Sequence, residues 1–346
     1  MSGIELQDTL VATPGPAPAF DRVYFNLHGE SREQGYFVLG IGTYPSAATT
    51  DAYLCYVAGG ENAQRNLRLS TVLEPASAGV IGPLRWQCLE PHELWQLQLG
   101  PNQTGVEFDL RWHARSAIIE IPEYSTADQF GSSRYVHIFQ SGTYEGFVSV
   151  DGQVLRVDGW HGQRDRSKGQ RRMRDRLGLH LWVQAQFRDE CIGFLYNEDR
   201  QGKIAHFEGA SMRSDRTLRR LTSLTHDLRF NDDMELVGGS FQLAFGGGER
   251  RELSVVSTGP GILMQGGGYN GWHGVARGRD HVESERWSFD GSRTPRNLEI
   301  GITDALCLFT CGSEKGAGIC EYALSRSPSY RYRPGGGSGG QQGQGR

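Results

Sequence analysis

The sequence lacks the features that mark several large classes of protein. Its six cysteines among 346 residues are too few for a disulfide scaffold, and we expect them to be free thiols in a reducing, cytoplasmic environment. No apolar run approaches the roughly 20 residues that a membrane-spanning helix needs. Residues 1–20 hold acids and prolines where a secretory signal would hold a basic stretch and an apolar core. The net charge of −4 argues against nucleic-acid binding by the whole chain.

Common motifs of metal and cofactor sites are also missing. Gly266–Gly268 does not begin a helix after a strand, as a dinucleotide-binding loop would. Cys307, Cys311 and Cys320 do not have the paired spacing of a zinc site, and no His-Glu-x-x-His motif occurs. The sequence therefore predicts neither a metal ion nor a cofactor.

Glycine, in contrast, is abundant: 48 of 346 residues, or about 14 %, against roughly 7 % in an average protein. Hydrophobic residues at 37 % and aromatic residues at 10 % exclude a disordered chain, so a turn-rich globular protein remains. Apolar and polar residues alternate over residues 106–112 and 179–187, which is the period of a β-strand. Asp151-Gly152 lies between two such runs and favours a type I′ hairpin turn. Only residues 214–223 show a helical period, so the sequence predicts an all-β fold.

The length of the chain predicts about two domains. We predict a disordered segment at residues 1–20 and a flexible tail at 334–346, since the first is rich in Pro, Gly and Ala and the second in Gly, Ser and Gln. A basic stretch, Arg156–Arg176, falls near mid-chain, where it either binds phosphate or forms a solvated crossover between domains. The predicted domains are residues 21–163 and 164–333.

The most distinctive segment, Gly159–Arg171, lies at this predicted crossover and contains Arg-Asp-Arg-Ser-Lys-Gly-Gln-Arg. It resembles the Arg-Asp-Arg/His-Ser-Trp-Gly-x-Arg signature of the two-domain lipocalin-like (calycin) proteins related to carotenoid 1,2-hydratases, also called hydroxyneurosporene synthases. Ser141–Gly146 and Gly316–Tyr322 are similar to two further motifs of that family. More distant similarity extends to tocopherol cyclases and lipocalin-like Diels–Alderases. Lys168 departs from the signature, because the family has Trp at that position.

The resemblance implies two lipocalin-like antiparallel β-barrels in tandem, with a cavity for an apolar ligand. It also implies a cofactor-independent enzyme that uses acid–base chemistry on a lipophilic, isoprenoid-type substrate, by alkene hydration, dehydration or cation cyclisation. A pericyclase or isomerase of terpenoid or polyketide biosynthesis and a non-catalytic carrier of lipophiles are the alternatives. The expected partner is a small lipophilic molecule, reached from solution or from a membrane surface, and the oligomeric state is left open.

Asp165 is the candidate proton donor, because it lies within the signature. The implied chemistry needs a carboxylic acid that burial keeps protonated and aromatic faces that stabilise a cation. Trp160 would raise the pKa of Asp165, whereas the two arginines that flank Asp165 would lower it. In the alternative interpretation, Asp165 forms a buried ion pair with Arg171 or Arg172 that joins the two domains.

Two histidines are candidate catalytic residues that relay protons to Asp165. His161 either relays a proton or is an exposed loop residue. His180 shares one face of a predicted strand with Trp182, Gln184 and Gln186. That face lies either in the interior of a barrel, where Trp182 would offer its ring to a substrate cation, or against solvent or the other barrel.

A second cluster of aromatic residues and histidine follows residue 268. Gly271–Gly274 repeats the Gly-Trp-His-Gly of residues 159–162, which is consistent with two homologous barrels. Together with Trp160 and Trp182, the predicted substrate-binding residues are Tyr144, Tyr269, Trp272, His273 and Asp280.

Overall fold

The computed structural model describes residues 8, 10, 14, 20–75, 78–128, 131–170 and 177–326, which form an all-β structure. Short 3₁₀ turns occur at Arg32–Gln34, Pro45–Ala47 and Met264–Gly267. No helix in these ranges is both long and apolar enough to cross a membrane. In chain order the strands are β1 (Phe20–His28), β2 (Tyr36–Tyr44), β3 (Thr49–Val57), β4 (Ala63–Val72), β5 (Val80–Ile81), β6 (Leu84–Glu90), β7 (Leu94–Leu99), β8 (Val106–Ala114), β9 (Ile119–Asp128), β10 (Gly131–Val150), β11 (Gln153–Arg156), β12 (His161–Gln170), β13 (Leu177–Gln186), β14 (Glu190–Asp199), β15 (Ile204–Arg213), β16 (Leu218–His226), β17 (Arg229–Phe230), β18 (Leu236–Phe245), β19 (Arg250–Ser257), β20 (Ile262–Leu263), β21 (His281–Ser288), β22 (Thr303–Cys311) and β23 (Glu314–Leu324).

Eight strands from the second half of the chain close into an antiparallel barrel. They are β13 to β16, β18, β19, β22 and β23, and the barrel closes because β23 pairs with β13 while β16 pairs with β18. Alternate residues of β13 point inward, so Leu179, Leu181 and Val183 join a core that includes Phe194 and Phe241. Apolar side chains therefore fill the interior of this barrel.

The first half of the chain forms a larger sheet with the strand order β21-β4-β3-β2-β1-β12-β10-β8-β7-β6-β5, and β9 and β11 pair with β10. This sheet curls into a half-barrel around a second core, in which Phe25, Phe37, Trp95 and Trp112 are buried. The predicted all-β fold with two lipocalin-like barrels in tandem is confirmed in this form, as one closed barrel and one curled sheet.

Two strands cross the division that the sequence predicts between the domains. The predicted boundary between residues 163 and 164 falls inside β12, which pairs with β1 on one side and with β10 on the other. In the sequence, β21 comes after six of the eight strands of the closed barrel. It nevertheless pairs with β4 of the first sheet, where Glu283 is opposite Arg68. Residues 164–170 and 281–288 therefore belong to the first sheet.

Local sequence patterns predict one turn correctly and one element wrongly. Asp151 and Gly152 connect β10 to β11 with positive φ angles of 50° and 83°, as a type I′ turn requires. The helical period at residues 214–223 is misleading, since these residues form a turn and the first part of β16. Leu221 and Leu224 both enter the barrel core although they are three residues apart, because the pairing of β16 with β18 shifts between them.

Part of the N-terminal segment contacts the first sheet. Residues 1–20 are predicted to be disordered, yet the Asp8 carboxylate is buried and lies 2.6 Å from Nη1 of Arg164. Asp8 also accepts a hydrogen bond of 2.6 Å from the backbone N–H of His92. The Arg164 guanidinium is itself buried and needs a counter-charge, which the chain before β1 supplies.

Other predictions concern residues that the structure does not describe. The predicted flexible tail at 334–346 lies outside the described residues, as do Arg171 and Arg172, the alternative ion-pair partners of Asp165. All six cysteines are described, and they are free thiols as predicted.

Candidate functional site

The two sheets face each other through the strand sides that point away from the two cores. In β1, Phe25 and Leu27 point into the first core, so Tyr24 points toward the second sheet. In β13, Trp182 likewise points out of the barrel and toward the first sheet. The rings of Tyr24 and Trp182 meet edge to face, with centroids 5.1 Å apart. Strand alternation therefore builds a third apolar layer between the sheets.

This layer contains a cavity of about 580 Å³. Strands β1, β2, β3, β10 and β12 supply one wall, and β13, β14, β23 and two loops of the second half supply the other. Five of the predicted site residues line it, namely Asp165, His180, Trp182, Tyr269 and His273. The cavity lies between the sheets, not inside the closed barrel, and its wall combines aromatic rings with charged groups.

Asp165 reaches the cavity because alternate residues of β12 point to opposite sides of the first sheet. The flanking arginines point to the other side, where Arg166 Nη2 lies 2.8 Å from Asp21 Oδ2 and Arg164 binds the N-terminal segment. Asp165 Oδ2 lies 3.1 Å from Nε2 of His137 in β10. The described partner of Asp165 is thus a histidine, and the flanking arginines are paired elsewhere.

His180 contacts a second carboxylate on the opposite wall of the cavity. Its Nε2 atom lies 2.7 Å from Glu321 Oε1, and its Nδ1 atom lies 2.6 Å from Asn197 Oδ1. Glu321 in β23 is directly across from Trp182 in β13. Two carboxylate–histidine pairs, one on each sheet, therefore flank the contact of Trp182 with Tyr24.

The polar face of β13 lies against the first sheet, which decides between the two interpretations of this face. Gln184 accepts a hydrogen bond of 3.3 Å from Asn26 Nδ2, and Gln186 accepts one of 2.6 Å from Ser141 Oγ. The interpretation that this face lines the interior of a barrel is wrong, because the apolar face of β13 occupies that interior.

A buried carboxyl group behind Glu321 has no counterpart among the predicted site residues. Asp304 in β22 is directly opposite Glu321 and accepts a hydrogen bond of 2.8 Å from the Tyr24 hydroxyl. Burial and the neighbouring Glu321 carboxyl raise the pKa of Asp304 well above its usual range. Asp304 therefore meets the requirement for an acid that burial keeps protonated. Its one sequence signal is that it is the only charged residue in the apolar strand β22.

The other end of the cavity is cationic and aromatic. Arg22 in β1 donates from Nε to the Tyr44 hydroxyl at 2.7 Å, and its guanidinium carbon lies 5.7 Å from the centre of the Tyr269 ring. The ring centroids of Tyr53 and His273 lie 5.8 and 5.2 Å from that of Tyr269. The cavity therefore has an acidic end and a cationic end, both lined by aromatic rings.

Three predicted site residues that precede Asp165 lie away from the cavity. Tyr144 is buried in the first core, where its hydroxyl donates to a backbone carbonyl at 2.8 Å, and Trp160 packs against the same core. His161 lies 3.3 Å from Nη1 of Arg115, and burial together with Arg115 lowers the pKa of His161 to about 3. His161 is four residues from Asp165 along an extended strand, a distance of about 13 Å. Proximity in sequence thus does not bring these residues to the site.

The second predicted cluster, the one that follows residue 268, is only partly in the cavity wall. Tyr269 and His273 line the cavity, whereas Trp272 and Asp280 do not. Trp272 donates from Nε1 to Glu283 at 3.2 Å and contacts the ring of His273, so it supports the loop that carries His273. Asp280 is exposed in a turn, with a positive φ of 51°. Lys168 occupies the position at which the family that the sequence resembles has Trp. It lies on the same face of β12 as Arg164 and is not part of the cavity wall.

Solved structures with the same fold include a Nitrosomonas europaea protein provisionally designated AttH, with a TM-score of 0.60 and 9 % sequence identity over 92 % of this chain and 99 % of that one. Kievitone hydratase from Nectria haematococca has a TM-score of 0.51 and 12 % identity over 92 % of this chain and 94 % of its own. CghA has a TM-score of 0.51 and 9 % identity over 92 % of this chain and 96 % of its own. At these identities the likeness shows the fold alone.

Sequence comparison covers the same region. No curated protein sequence gives a significant match. One family model matches residues 9–329, a range that includes both sheets and every residue of the cavity wall. The chain therefore belongs to the Family of unknown function (DUF8625).

Proposed function

We propose that this protein is a cofactor-independent acid–base enzyme that acts on a small lipophilic molecule in the cavity between the sheets. The reaction is the addition or removal of water at an alkene, or cyclisation through a cation, on an isoprenoid-type substrate. The observation that carries the proposal is the presence of two carboxyl–histidine pairs on opposite walls, Asp165 with His137 and Glu321 with His180, around the ring of Trp182. Kievitone hydratase, which shares the fold, is by name an enzyme that adds water, and this is consistent with the proposal.

In the hydration direction, Glu321 is the proton donor. Its proton bonds to one alkene carbon through the electron pair of the double bond, and the other carbon becomes a cation beside the rings of Trp182 and Tyr24, which both line the cavity. Water adds to that carbon through oxygen and then loses a proton to the pair of Asp165 and His137. Exchange with solvent water removes that proton from the pair and returns one to Glu321, while Asp304 behind Glu321 keeps its own proton. In dehydration the roles reverse, and Asp165 is the donor.

The test uses solvent deuterium, because it does not require a known substrate. The protein is incubated in D₂O with a lipid extract of the cells in which it naturally occurs, and products are followed by mass spectrometry. A hydratase or dehydratase yields a product that differs by one water, and a cyclase yields a deuterium-labelled isomer. We expect Glu321→Gln and Asp165→Asn each to lower the rate by at least about 100-fold. Glu252→Gln, at an exposed position in β19, is the matched control and should leave the rate unchanged.

The same experiment separates the alternatives. Folded Glu321→Gln and Asp165→Asn variants that retain the parent rate would refute acid–base catalysis and favour a pericyclase, in which the cavity only holds a reactive conformer. An unmodified lipophile that co-purifies with the protein, together with no product from any extract, would refute an enzyme and favour a carrier.

A further inference from the structure

Arg22 has an incomplete set of partners within the cavity. It is the only arginine or lysine among the described residues of the cavity wall. Its Nε and Nη2 atoms both donate to the Tyr44 hydroxyl, and none of the described residues accepts a hydrogen bond from Nη1. Asp51 in β3 is separated from Arg22 only by Gly42 of β2, which pairs with both residues. Its carboxylate accepts a hydrogen bond of 2.7 Å from the backbone N–H of Gly274 and lies 3.4 Å from Nδ1 of His273. The charge of Asp51 helps to keep Arg22 protonated, but Nη1 of Arg22 remains a donor that no described carboxylate contacts.

Two glycines in β2 hold this end of the cavity open. A Cβ atom at Gly42 would lie 3.0 Å from Cγ of Arg22 and 3.0 Å from the Tyr44 hydroxyl, so the bare backbone lets Arg22 lie flat across β2. A Cβ atom at Gly40 would lie 2.2 Å from the ring of Tyr53. The absence of both side chains lets Arg22 and Tyr53 lie close to the sheet and leaves space above them.

Neutral hydroxyl donors surround the guanidinium. The Tyr44 hydroxyl accepts a hydrogen bond from Arg22, so its own hydrogen remains available for donation. The hydroxyl oxygens of Tyr53 and Tyr269 lie 3.4 Å apart. Burial raises the pKa of Tyr44 and Tyr53 well above the usual range and raises that of Tyr269 to about 12. Burial and the charge of Arg22 lower the pKa of His273, so this ring adds no second positive charge. One of the Tyr53 and Tyr269 hydroxyls donates to the other, so one cation and two hydroxyl donors converge on the same space.

We propose that these five residues (Arg22, Tyr44, Tyr53, Tyr269 and His273), the Arg22 pocket, bind an oxyanion of an otherwise lipophilic ligand, such as a carboxylate, an enolate or a phenolate. Charge-assisted hydrogen bonds from a guanidinium and phenols suit such a group, and the surrounding rings suit the apolar remainder. The side chain of Arg22 lies over β2, whereas Asp165 is on β12, on the other side of β1. Strands are about 4.8 Å apart, so the oxyanion lies about 10 Å from the reacting bond. This assignment of substrate class rests on the proposed function.

The test compares an isoprenoid acid with its neutral ester. All-trans-retinoic acid and methyl retinoate are titrated at about pH 8 against the full-length protein, and binding is followed by quenching of tryptophan fluorescence, since Trp182 lines the cavity. We expect the acid to bind the parent at least about tenfold more tightly than the ester. Arg22→Gln and Arg22→Met should abolish this preference and leave the affinity for the ester unchanged, and Arg22→Lys should retain part of the preference. Arg156→Gln, at an exposed arginine paired with Asp158, is the matched control and should behave like the parent.

Three results would overturn the proposal. They are equal affinities of the parent for the acid and the ester, an equal loss of both affinities in Arg22→Gln, and no binding of either compound. None of these measurements involves turnover, so they are independent of the proposed acid–base reaction. Glu321→Gln, which should abolish turnover, should keep the preference for the acid, and this distinguishes a failure of the Arg22 pocket from a failure of the reaction.

Discussion

At the scale of single residues, the site depends on an acid that water does not reach. Asp304 is fully buried, accepts a hydrogen bond from the Tyr24 hydroxyl and faces the carboxyl group of Glu321. Ionisation of Asp304 would bury a negative charge in a medium that solvates charge poorly, and would repel the charge that Glu321 carries once it has given up its proton, so the proton stays on Asp304. The same contacts fix the positions of Tyr24 and Glu321 on opposite walls of the cavity.

Asp304→Asn is expected to become more stable relative to the parent as the pH rises. In the unfolded chain the pKa of an aspartate is near 4, about its usual value, whereas in the folded protein that of Asp304 is raised. The stability that this bound proton provides is fully present below the unfolded pKa and is lost as the pH rises toward the folded pKa, by up to about 1.4 kcal/mol per pH unit. Asn does not titrate, so the Asp304→Asn variant does not lose this part of its free energy of unfolding as the pH rises. Denaturant unfolding of both proteins between about pH 4 and pH 8 measures the difference.

The matched control for this prediction is Asp232→Asn, at an exposed position. Its difference in free energy of unfolding from the parent should stay constant over the same pH range. A difference for Asp304→Asn that is equally constant would show that Asp304 does not carry the proton in the folded protein.

The sequence predicts part of the candidate site. Asp165 is found because it lies in a family signature, and Tyr269 and His273 because they lie in an aromatic cluster. Their partners cannot be found in this way, because contacts between sheets depend on packing and not on local pattern. Asp165 is 28 residues from His137, His180 is 141 residues from Glu321, and Tyr24 is 280 residues from Asp304.

At the scale of elements, β21 controls the loop that forms part of the cavity wall. Residues 268–280 carry Tyr269 and His273, and Glu283 in β21 anchors this loop by accepting from Trp272 Nε1 and by lying 3.8 Å from Arg277 Nε. Glu283 also lies 3.0 Å from Arg68 in β4. Hydrogen bonds from His281, Trp272 and Arg68 lower the pKa of Glu283 to about 2, so the anchor is ionised at neutral pH.

Glu283→Ala is expected to loosen this loop without unfolding the protein. The loop loses both its Trp272 and its Arg277 contacts, so amide hydrogen exchange over residues 268–280 should become at least about tenfold faster. Exchange in β14 and β15 should stay at the parent rate. Hydrogen-exchange mass spectrometry measures both regions.

Glu285→Ala is the matched control, because Glu285 also pairs with Arg68, at 3.1 Å, but makes no contact with the loop among the described hydrogen bonds and ion pairs. It should leave exchange over residues 268–280 unchanged. Equal exchange in the two variants would mean that Glu283 does not anchor the loop.

The sequence predicts the elements better than their partners. Strict alternation identifies β8 and β13, because each has one apolar face against a core. β21 lies at the edge of its sheet and buries only Trp287, so its sequence contains little information about the strand with which it pairs. β16 appears helical because a bulge changes the spacing of its buried leucines.

At the scale of the whole molecule, the two sheets are not independent units. The first sheet takes its edge strand, β21, from residues that follow most of the closed barrel. Both sheets bury apolar residues against each other, including Phe139 and Val38 from the first and Leu195 and Ile319 from the second. The first half alone would therefore lack an edge strand and expose an apolar face.

A fragment of residues 1–176 is expected to be insoluble when expressed alone and soluble when co-expressed with a fragment of residues 177–346. Co-purification through a tag on one fragment and size-exclusion chromatography measure the outcome. A second version of the partner fragment, with residues 281–288 replaced by a Gly/Ser linker, is the control and should rescue poorly. A 1–176 fragment that is soluble and unfolds cooperatively by itself would contradict the prediction.

The hydrogen bond between Tyr24 and Asp304 has a consequence for the order in which the molecule is made. The two residues are 280 positions apart, and a ribosome that adds about 5–20 residues per second separates them by roughly 14–56 s. During that interval Tyr24 and Arg22 have been synthesised, but the strands of the second sheet that complete the opposite wall of the cavity have not. The cavity therefore forms only after β22 and β23 have been synthesised, so a chain that stops before them has strands but no complete cavity in which to bind a ligand.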